Sequence, residues 1–188
     1  VSYTFPNSGV QAINNLSFII EKGESLGIIG RTGCGKSTII QLLTRQVEPQ
    51  SGVILIDGKN INDCNLDELR SRTSVVPQDV FLFSDTIKNN ISFGLNKGDT
   101  SEEMLIEVTK QAHVYHNIVE FKSGFDTLLG ERGVNLSGGQ KQRISIARAL
   151  IRTPEILILD DCLSAVDTET EKIILRNFKN MNDVTSMI

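Results

Sequence analysis

The sequence predicts an α/β fold with a mainly parallel sheet, and two segments carry that prediction. Residues 25–29 form a short apolar segment that runs into a glycine-rich loop and then into the apolar stretch 37–43, which is the order strand, loop, helix. Ile156–Leu159 is a continuous apolar run, as expected of a strand that is buried on both faces. Such strands are typical of parallel sheets covered by helices.

Two further strands complete the predicted core. Residues 53–56 form an apolar strand that is closed by the turn Asp57-Gly58. Thr73–Val76 is a short strand that ends at Pro77.

The middle of the chain, residues 85–151, differs in character and predicts mostly helices. Thr100 with Glu103 has the spacing of a capping box ahead of apolar residues at helical spacing. Thr168 with Glu171 marks the start of a later helix in the same way. The overall pattern is therefore an α/β core interrupted by an inserted helical subdomain.

Composition and charge are those of an ordinary soluble, single-domain protein. The 188 residues carry a net charge of −4 and no dense Lys/Arg patch, which argues against nucleic acid as a partner. No apolar run approaches the length of a membrane span. The cysteines Cys34, Cys64 and Cys162 are widely spaced, as expected of reduced thiols rather than a disulfide framework or a metal site. His113 and His116 are expected to be solvated or packed histidines.

A glycine-rich loop follows the first predicted strand and matches the pattern G-x-x-x-x-G-K-[ST]. In such a loop backbone amides wrap the phosphates, Lys36 neutralises phosphate charge and Ser37 offers a hydroxyl to Mg²⁺. The sequence therefore predicts a nucleotide site, formed by Gly30, Arg31, Thr32, Gly33, Cys34, Gly35, Lys36 and Ser37.

Two carboxylates stand at the C-terminal end of the predicted strand Ile156–Leu159, where parallel α/β sheets bind ligands. Asp160 is placed to hold the hydration shell of Mg²⁺. Asp161 is placed to orient or deprotonate an attacking water. The alternative is a pair of solvated turn carboxylates.

A helix start that is unusually rich in glycine lies at residues 136–140. Ser137 with Gln140 has the spacing of a capping box, so a helix should begin here. Two glycines fill its first turn, although each costs about 1 kcal/mol relative to alanine inside a helix. Bare amides at a helix N-terminus bind anions, and glycine lets a phosphate come close. The stretch is therefore a candidate phosphate site, made of Leu136, Ser137, Gly138, Gly139 and Gln140.

Together these motifs resemble the nucleotide-binding domain of an ATP-binding cassette (ABC) transporter, over essentially the whole chain. Residues 30–38, which end at Thr38, match the Walker A motif, and residues 136–140 match the LSGGQ signature. Ile156–Leu159 with Asp160 matches Walker B. The resemblance implies a P-loop NTPase core with a mainly parallel sheet, an N-terminal antiparallel β region and an inserted helical subdomain.

The resemblance also implies cofactors, partners and a domain organisation. Such domains bind ATP and Mg²⁺ and dimerise head to tail, so that each ATP lies between one chain's Walker A and the other chain's signature. The implied partners are a second nucleotide-binding domain, identical or different, and a transmembrane domain that holds this one at the cytoplasmic face of the cell membrane. The chain is expected to be a single domain, 1–188, with a catalytic core of about 1–84 and 152–188 and a signature subdomain of about 85–151.

Further site residues are carried over by resemblance. Gln78 matches the Q-loop glutamine that contacts Mg²⁺, and Asp167 matches the D-loop. Phe5 falls where the family stacks an aromatic ring on adenine, with Tyr3 as a neighbouring alternative. The implied metal ligands are Ser37, Gln78 and Asp160, and the implied catalytic residues are Asp161, Gln78 and Lys36.

Two stretches are similar to exporters in particular. One comprises residues 81–87 with Asn90 and Ile91. The other, residues 130–133, includes Glu131 and Arg132 and resembles the X-loop, which contacts the coupling helices of the transmembrane domain.

Two departures from the family pattern bear on activity. Asp161 stands where the family usually has Glu, and the missing methylene withdraws the carboxylate by about 1.5 Å. A misplacement of about 1 Å can cost about a hundredfold in rate. The family's switch histidine is expected beyond Ile188, so neither histidine of this chain can be assigned that role, and the chain is expected to be one piece of a longer polypeptide.

The leading hypothesis is an ATP-hydrolysing motor domain of an ABC exporter. The alternative is a catalytically weak regulatory subunit of a heterodimeric transporter, whose signature completes the active site of its partner. A soluble ABC protein of DNA repair or translation fits less well, because only about 100 residues separate Lys36 from Ser137 and leave no room for a long coiled-coil insertion.

Overall fold

Strands and helices alternate on either side of a mostly helical middle segment, as the sequence predicts. The structure is a computed structural model that describes residues 1–96, 98–181 and 183–188. Its helices are α1 (Lys36–Leu43), α2 (Leu66–Arg72), α3 (Ile87–Ile91), α4 (Glu102–Gln111), α5 (Tyr115–Glu120), α6 (Gly138–Leu150) and α7 (Thr168–Lys179). Its strands are β1 (Tyr3–Thr4), β2 (Gln11–Ile13), β3 (Ser25–Leu26), β4 (Leu55–Ile56), β5 (Lys59–Asn60), β6 (Thr73–Val76), β7 (Ile156–Leu159) and β8 (Thr185–Met187).

A four-stranded parallel sheet with the order β3-β8-β7-β6 forms the centre of the fold. In β7 both Leu157 and Ile158 are 0 % exposed, although their side chains point to opposite faces. The continuous apolar run therefore does form a strand buried on both faces, as predicted. β6 lies beside β7 with Val76 opposite Leu159, so the two strands end at the same level.

Two antiparallel pairs accompany this sheet. β1 pairs with β2 near the N-terminus, which confirms the expected antiparallel region. β4 and β5 form a hairpin around the predicted Asp57-Gly58 turn. The strand predicted over residues 53–56 is shorter in the structure, because only the two residues next to the turn find a cross-strand partner. The strand predicted over residues 25–29 likewise narrows to Ser25–Leu26.

The segment between residues 85 and 151 is mostly helical, as predicted, and α6 is its central element. α6 packs against α3, α4 and β6, and its Ile144, Ile146 and Ala147 are 0 % exposed. These residues belong to the same apolar cluster as Leu157 of the central sheet. The described core therefore runs from the sheet into the helices, and the predicted subdomain boundaries stay a prediction.

Two predicted helix caps are wrong by one residue. α4 is capped by Ser101, whose hydroxyl accepts from the amide of Met104 at 3.2 Å, rather than by Thr100. α7 is capped by Asp167 rather than by Thr168. In both places two adjacent residues carry side-chain oxygens that can cap a helix, so the pattern alone does not choose between them.

The two histidines lie side by side where α4 turns into α5. His113 is half-buried in the turn with a left-handed φ of 54°, and His116 is exposed on α5. Their ring centroids are 4.8 Å apart. Burial, together with the charge of His116, holds the pKa of His113 below its ordinary value. One ring is thus packed and the other solvated, as expected.

A buried amide fastens α3 to α6. Asn90 is 0 % exposed, and its Oδ1 accepts from the backbone amide of Phe83 at 2.8 Å and from Arg148 Nη2 at 2.9 Å. Its Nδ2 donates to the carbonyls of Phe83 and Thr86, both at 3.0 Å. Arg148 also donates to the carbonyls of Asn90 and Phe81, at 2.7 and 2.8 Å. One fully buried side chain therefore bonds to the backbone of Phe83 and Thr86 and to Arg148.

We expect Asn90→Ala to lower the free energy of unfolding by about 2–4 kcal/mol, because it leaves buried donors and acceptors without partners. Urea unfolding measures the change. Asn89→Ala is the matched control, since Asn89 is exposed on the same helix and should change stability by less than about 1 kcal/mol. Equal losses in the two variants would contradict this account of Asn90.

Candidate nucleotide-binding site

The glycine-rich loop connects β3 to α1 in the predicted order. Residues 31–34 are exposed, and Thr38 is buried within the first turns of α1. Lys36 Nζ donates to the carbonyls of Gly30 and Arg31 at 2.8 and 3.2 Å, so the ammonium group lies over the loop. The cap residue of α1 is Gly35, which has no side chain that could accept from the first amides of the helix. The first amides of this helix therefore face the loop as donors, which is the arrangement that binds phosphate.

Gly35 allows the loop to pack closely against the N-terminal antiparallel pair of strands. Its φ is +98°, and a Cβ at this position would lie 2.4 Å from the carbonyl oxygen of Ala12 in β2. Both the backbone conformation and the close approach exclude any other residue. The glycine of the motif thus has a packing role within the chain, besides giving a phosphate access.

The hydroxyl of Ser37 meets the first carboxylate of the acidic pair. Ser37 Oγ donates to Asp160 Oδ2 at 3.0 Å, across 123 residues of sequence. The backbone amide of Asp160 donates to the carbonyl of Val76 at 2.9 Å, which continues the β6–β7 pairing one residue beyond the strand. A hydroxyl and a carboxylate oxygen at this separation are hard ligands of the kind Mg²⁺ accepts beside phosphate oxygens and water. The residues present therefore fit a Mg²⁺ ion.

The second carboxylate meets the Q-loop. Gln78 Nε2 donates to Asp161 Oδ2 at 3.0 Å, because β6 and β7 end side by side. Asp161 is exposed and has a left-handed φ of 47°, a conformation that Asp tolerates better than most residues. Behind the pair, burial raises the pKa of the Cys162 thiol to about 12, with the neighbouring carboxylates adding to the effect. Cys162 is therefore a neutral packing residue at physiological pH.

The two candidate aromatic residues differ in exposure. Tyr3 is 5 % exposed and belongs to the small apolar cluster with Ile13 and Leu42. Phe5 is half-buried and makes an edge-to-face contact with Tyr3, with the ring centroids 5.2 Å apart. Because Phe5 retains free surface, it is the ring available to stack on a planar base.

The signature stretch forms the start of α6 as the sequence predicts. Ser137 Oγ accepts from the amide of Gln140 at 3.2 Å, and Gln140 Oε1 accepts from the amide of Ser137 at 2.9 Å. The capping box is therefore confirmed. Leu136 is 7 % exposed and anchors the helix start in the core, whereas Ser137 and Gly138 are exposed. The capping box uses the amides of Ser137 and Gln140 and does not involve those of Gly138 and Gly139, which are the donors that a phosphate held by another molecule would require.

One contact of the signature was not predicted from the sequence. A Cβ at Gly139 would lie 2.8 Å from the carbonyl oxygen of Ala165, in the loop that follows the acidic pair. The buried Gln142 also bonds to this loop, at Ser164 and Ala165. Helical periodicity is the sequence signal that could have indicated this contact. Gln142 lies on the same helix face as the buried Ile146 and Ala149, and it is a polar residue on a face that is otherwise mostly apolar.

The D-loop residue Asp167 lies at the start of α7. Its Oδ1 accepts from the amide of Thr170 at 2.9 Å, and this bond holds the pKa of Asp167 below its usual range. The carboxylate is exposed. Asp167 therefore acts within this chain as a helix cap, and the structure does not bring it to the Ser37–Asp160 pair.

The two exporter-like stretches meet in space. Leu129 donates its amide to the carbonyl of Asp85 at 3.0 Å, and Ile87 donates to the carbonyl of Thr127 at 3.1 Å. A Cβ at Gly133 would touch Leu82, with 3.2 Å to its Cδ1. Segments that are about 40 residues apart in the sequence thus pack against each other.

Exposed aromatic rings lie on the first of these stretches and shortly after it. Phe81 and Phe93 are 51 % and 55 % exposed, and Phe83 lies between them, with ring centroids 5.1 and 4.6 Å away. The guanidinium of Arg148 lies over Phe83 and Phe93 at 5.7 and 5.9 Å. We call Phe81, Phe83 and Phe93 the aromatic patch.

Comparisons with known proteins agree on one family. The family described as ABC transporter matches residues 13–164. An uncharacterized ABC transporter ATP-binding protein of Bacillus subtilis is 46 % identical over all 188 residues, and the ATP-dependent lipid A-core flippase of Pasteurella multocida is 47 % identical over 93 % of the chain. A solved structure of a bacterial Atm1-family ABC exporter with ATP bound superposes with a TM-score of 0.91, at 39 % identity over 98 % of the chain.

The relatives are much longer than this chain. It spans 32 % of the Bacillus protein, 30 % of the flippase and 32 % of the exporter chain of known structure. Among the residues that the structure describes, no helix has the length and apolar character needed to cross a bilayer. By its sequence match, its fold and its motifs, the chain belongs to the ABC transporter family, as an ATP-binding domain with exporter-type relatives.

Proposed function

We propose that this chain is the ATP-hydrolysing motor domain of an ABC exporter and works as a head-to-tail dimer with a second such domain. The observation that carries the proposal is the pair of contacts at the strand ends, Ser37 with Asp160 and Gln78 with Asp161. They join the phosphate loop, the metal-binding carboxylate, the Q-loop and the residue that faces the attacking water.

Each side chain has a defined role in this proposal. Lys36 and the loop amides bind the β- and γ-phosphates, and Ser37, Asp160 and Gln78 hold Mg²⁺. The ion neutralises phosphate charge when it is bound. Asp161 accepts a hydrogen bond from the water that attacks the γ-phosphate, and Phe5 stacks on the adenine ring. The signature residues of the partner domain close the site over the phosphates.

A second candidate is a catalytically weak subunit of a heterodimeric transporter, and one residue favours it. Asp161 is shorter by one methylene than the glutamate usual at this position, which withdraws its carboxylate by about 1.5 Å. The capping box at Ser137 and Gln140 is complete. Such a chain would complete the partner's ATP site with its signature and would hydrolyse the ATP at its own site slowly.

Asp161→Glu in the intact transporter distinguishes the two candidates. If the native site is weakened by the short side chain, we expect the ATPase kcat to rise by about tenfold or more, because the longer carboxylate regains its distance to the water. Steady-state ATPase measurements give the change. Asp161→Asn is the control and should lower the rate. An unchanged rate in Asp161→Glu would show that Asp161 does not limit turnover.

The exposed Cys34 inside the phosphate loop reports occupancy of the site. We expect saturating Mg-ATP to protect Cys34 from alkylation, and prior alkylation to block ATP binding, because the label occupies the space of the phosphates. Mass spectrometry of the labelled protein measures both. The buried Cys162, with a pKa of about 12, is an internal control that should remain unlabelled. Equal labelling of Cys34 with and without Mg-ATP would contradict the proposed site.

We further propose that the aromatic patch and the exporter-like stretches packed beside it receive the transmembrane domain, at the cytoplasmic face of the membrane. The contacts between residues 85–87 and 127–129 and the exposed aromatic patch support this. An exposed group of aromatic rings is typical of an interaction surface. The names of the relatives, a flippase and an exporter, support the direction of transport.

Phe81→Ser tests this surface in the intact transporter. We expect it to reduce stimulation of ATPase activity by transported substrate while the KM for Mg-ATP stays within about twofold, because the change affects docking and leaves the nucleotide site intact. Val10→Ser is the matched control, since Val10 is 57 % exposed but lies near the antiparallel region. Normal stimulation in Phe81→Ser would argue against the aromatic patch as the docking surface.

A further inference from the structure

One buried amide links the signature helix to the loop after the acidic pair. Gln142 in the second turn of α6 is 6 % exposed. Its Nε2 donates to Ser164 Oγ at 3.2 Å, and its Oε1 accepts from the backbone amide of Ala165 at 3.0 Å. Both ends of the planar amide are thus engaged with two successive residues of one loop. A buried polar side chain with both ends bonded holds its partners in a fixed geometry.

The same link continues to the backbone of Asp161. Ser164 Oγ donates to the carbonyl oxygen of Asp161 at 3.0 Å. A hydroxyl has a single hydrogen, and because Ser164 gives it to Asp161, Ser164 can only accept in its contact with Gln142. The result is a directed chain of hydrogen bonds that runs from Gln142 through Ser164 to Asp161.

Direct packing strengthens this connection. A Cβ at Gly139 would lie 2.8 Å from the carbonyl oxygen of Ala165, and a Cβ at Gly138 would lie 3.4 Å from Ala165 Cβ. The first turn of the signature helix is therefore in contact with the loop that Gln142 binds. The turn therefore cannot move toward this loop without displacing Ala165.

The backbone at Asp161 has an unfavourable conformation that its surroundings must stabilise. Its φ of 47° lies in the left-handed region, which is unfavourable for a residue with a side chain. The bond from Ser164 fixes the carbonyl of this residue, and its carboxylate is bonded to Gln78. Fixing the backbone fixes the direction in which the carboxylate leaves it.

We propose that Gln142 is a positioning residue that couples the signature turn of this chain to its own Asp161 through Ser164. The proposal rests on the proposed function, in which the signature contacts the ATP of the partner and Asp161 faces the water at this chain's own ATP. Closure of the signature on the partner's ATP is then transmitted within one chain to the carboxylate of its own site. The two ATP sites of a dimer are thereby linked through Gln142 and Ser164.

Three variants separate this role from simple packing. Gln142→Leu removes both hydrogen bonds. Gln142→Glu keeps an acceptor for the amide of Ala165, but its second carboxylate oxygen can only accept. That oxygen competes for the single hydrogen of Ser164 and so draws it away from Asp161. Ser164→Ala breaks the same step from the other side. Ser145→Ala on the same helix is the control, because Ser145 is 4 % exposed and has no side-chain bond to this loop among the described residues.

The first readout is the steady-state ATPase activity of the intact transporter. We expect all three variants to lower kcat by about tenfold with the KM for Mg-ATP within about twofold, since the phosphate loop is untouched. The double variant Gln142→Glu with Ser164→Ala should be no worse than either single variant, because both break one link. Ser145→Ala should keep the wild-type kcat. Wild-type kcat in Gln142→Glu and Ser164→Ala, or additive losses, would overturn the proposal.

The second readout needs no turnover. Hydrogen–deuterium exchange of the peptide that contains Ala165 should speed up in Gln142→Leu and stay slow in Gln142→Glu, because only the former removes the acceptor of the Ala165 amide. Unchanged exchange in Gln142→Leu would also overturn the proposal. An intact wild-type transporter that neither binds nor hydrolyses Mg-ATP would instead overturn the proposed function. If the wild-type transporter hydrolyses ATP and the variants behave like the wild type, only the proposed coupling is overturned and the proposed function stands.

Discussion

The parallel pairing of β6 with β7 is the constraint on which the nucleotide site depends. Because Val76 lies opposite Leu159, both strands end at one level, and the amide of Asp160 can still reach the carbonyl of Val76. This shared end brings Gln78 and Asp161 within hydrogen-bonding distance, although they are 83 residues apart. A parallel sheet needs burial on both faces, so the apolar sequence of β7 is a requirement of the site as well as of the core.

The phosphate loop depends on a second contact, made on the other side of the fold. Gly35 fits against the carbonyl of Ala12, so the loop is supported by the antiparallel strands, and Phe5 directly follows the first of them. The groups proposed for the base and for the phosphates are therefore mounted on neighbouring parts of one scaffold. Ser37 then joins this half to the sheet half through Asp160. Neither half positions all the proposed groups without the other.

The sequence predicts those features that depend on local chemistry. The strand–loop–helix order, the buried β7 and the capping box at Ser137 are confirmed because spacing and apolar runs determine them. The caps of α4 and α7 were misplaced because two adjacent residues can each cap a helix, and tertiary packing decides between them. The bonds of Gln142 could not be predicted from the sequence, because they join residues more than 20 positions apart. The sequence shows only that a polar residue lies on an apolar helix face.

The helix α6 connects the signature to the aromatic patch. Its first turn is the signature, and its last turn carries Arg148, which bonds Asn90 and lies over Phe83 and Phe93. A helix of 13 residues is about 20 Å long and resists bending over that distance. The signature and the ring-contacting Arg148 therefore lie at opposite ends of one continuous helix, which places the aromatic patch and the signature in the same structural unit.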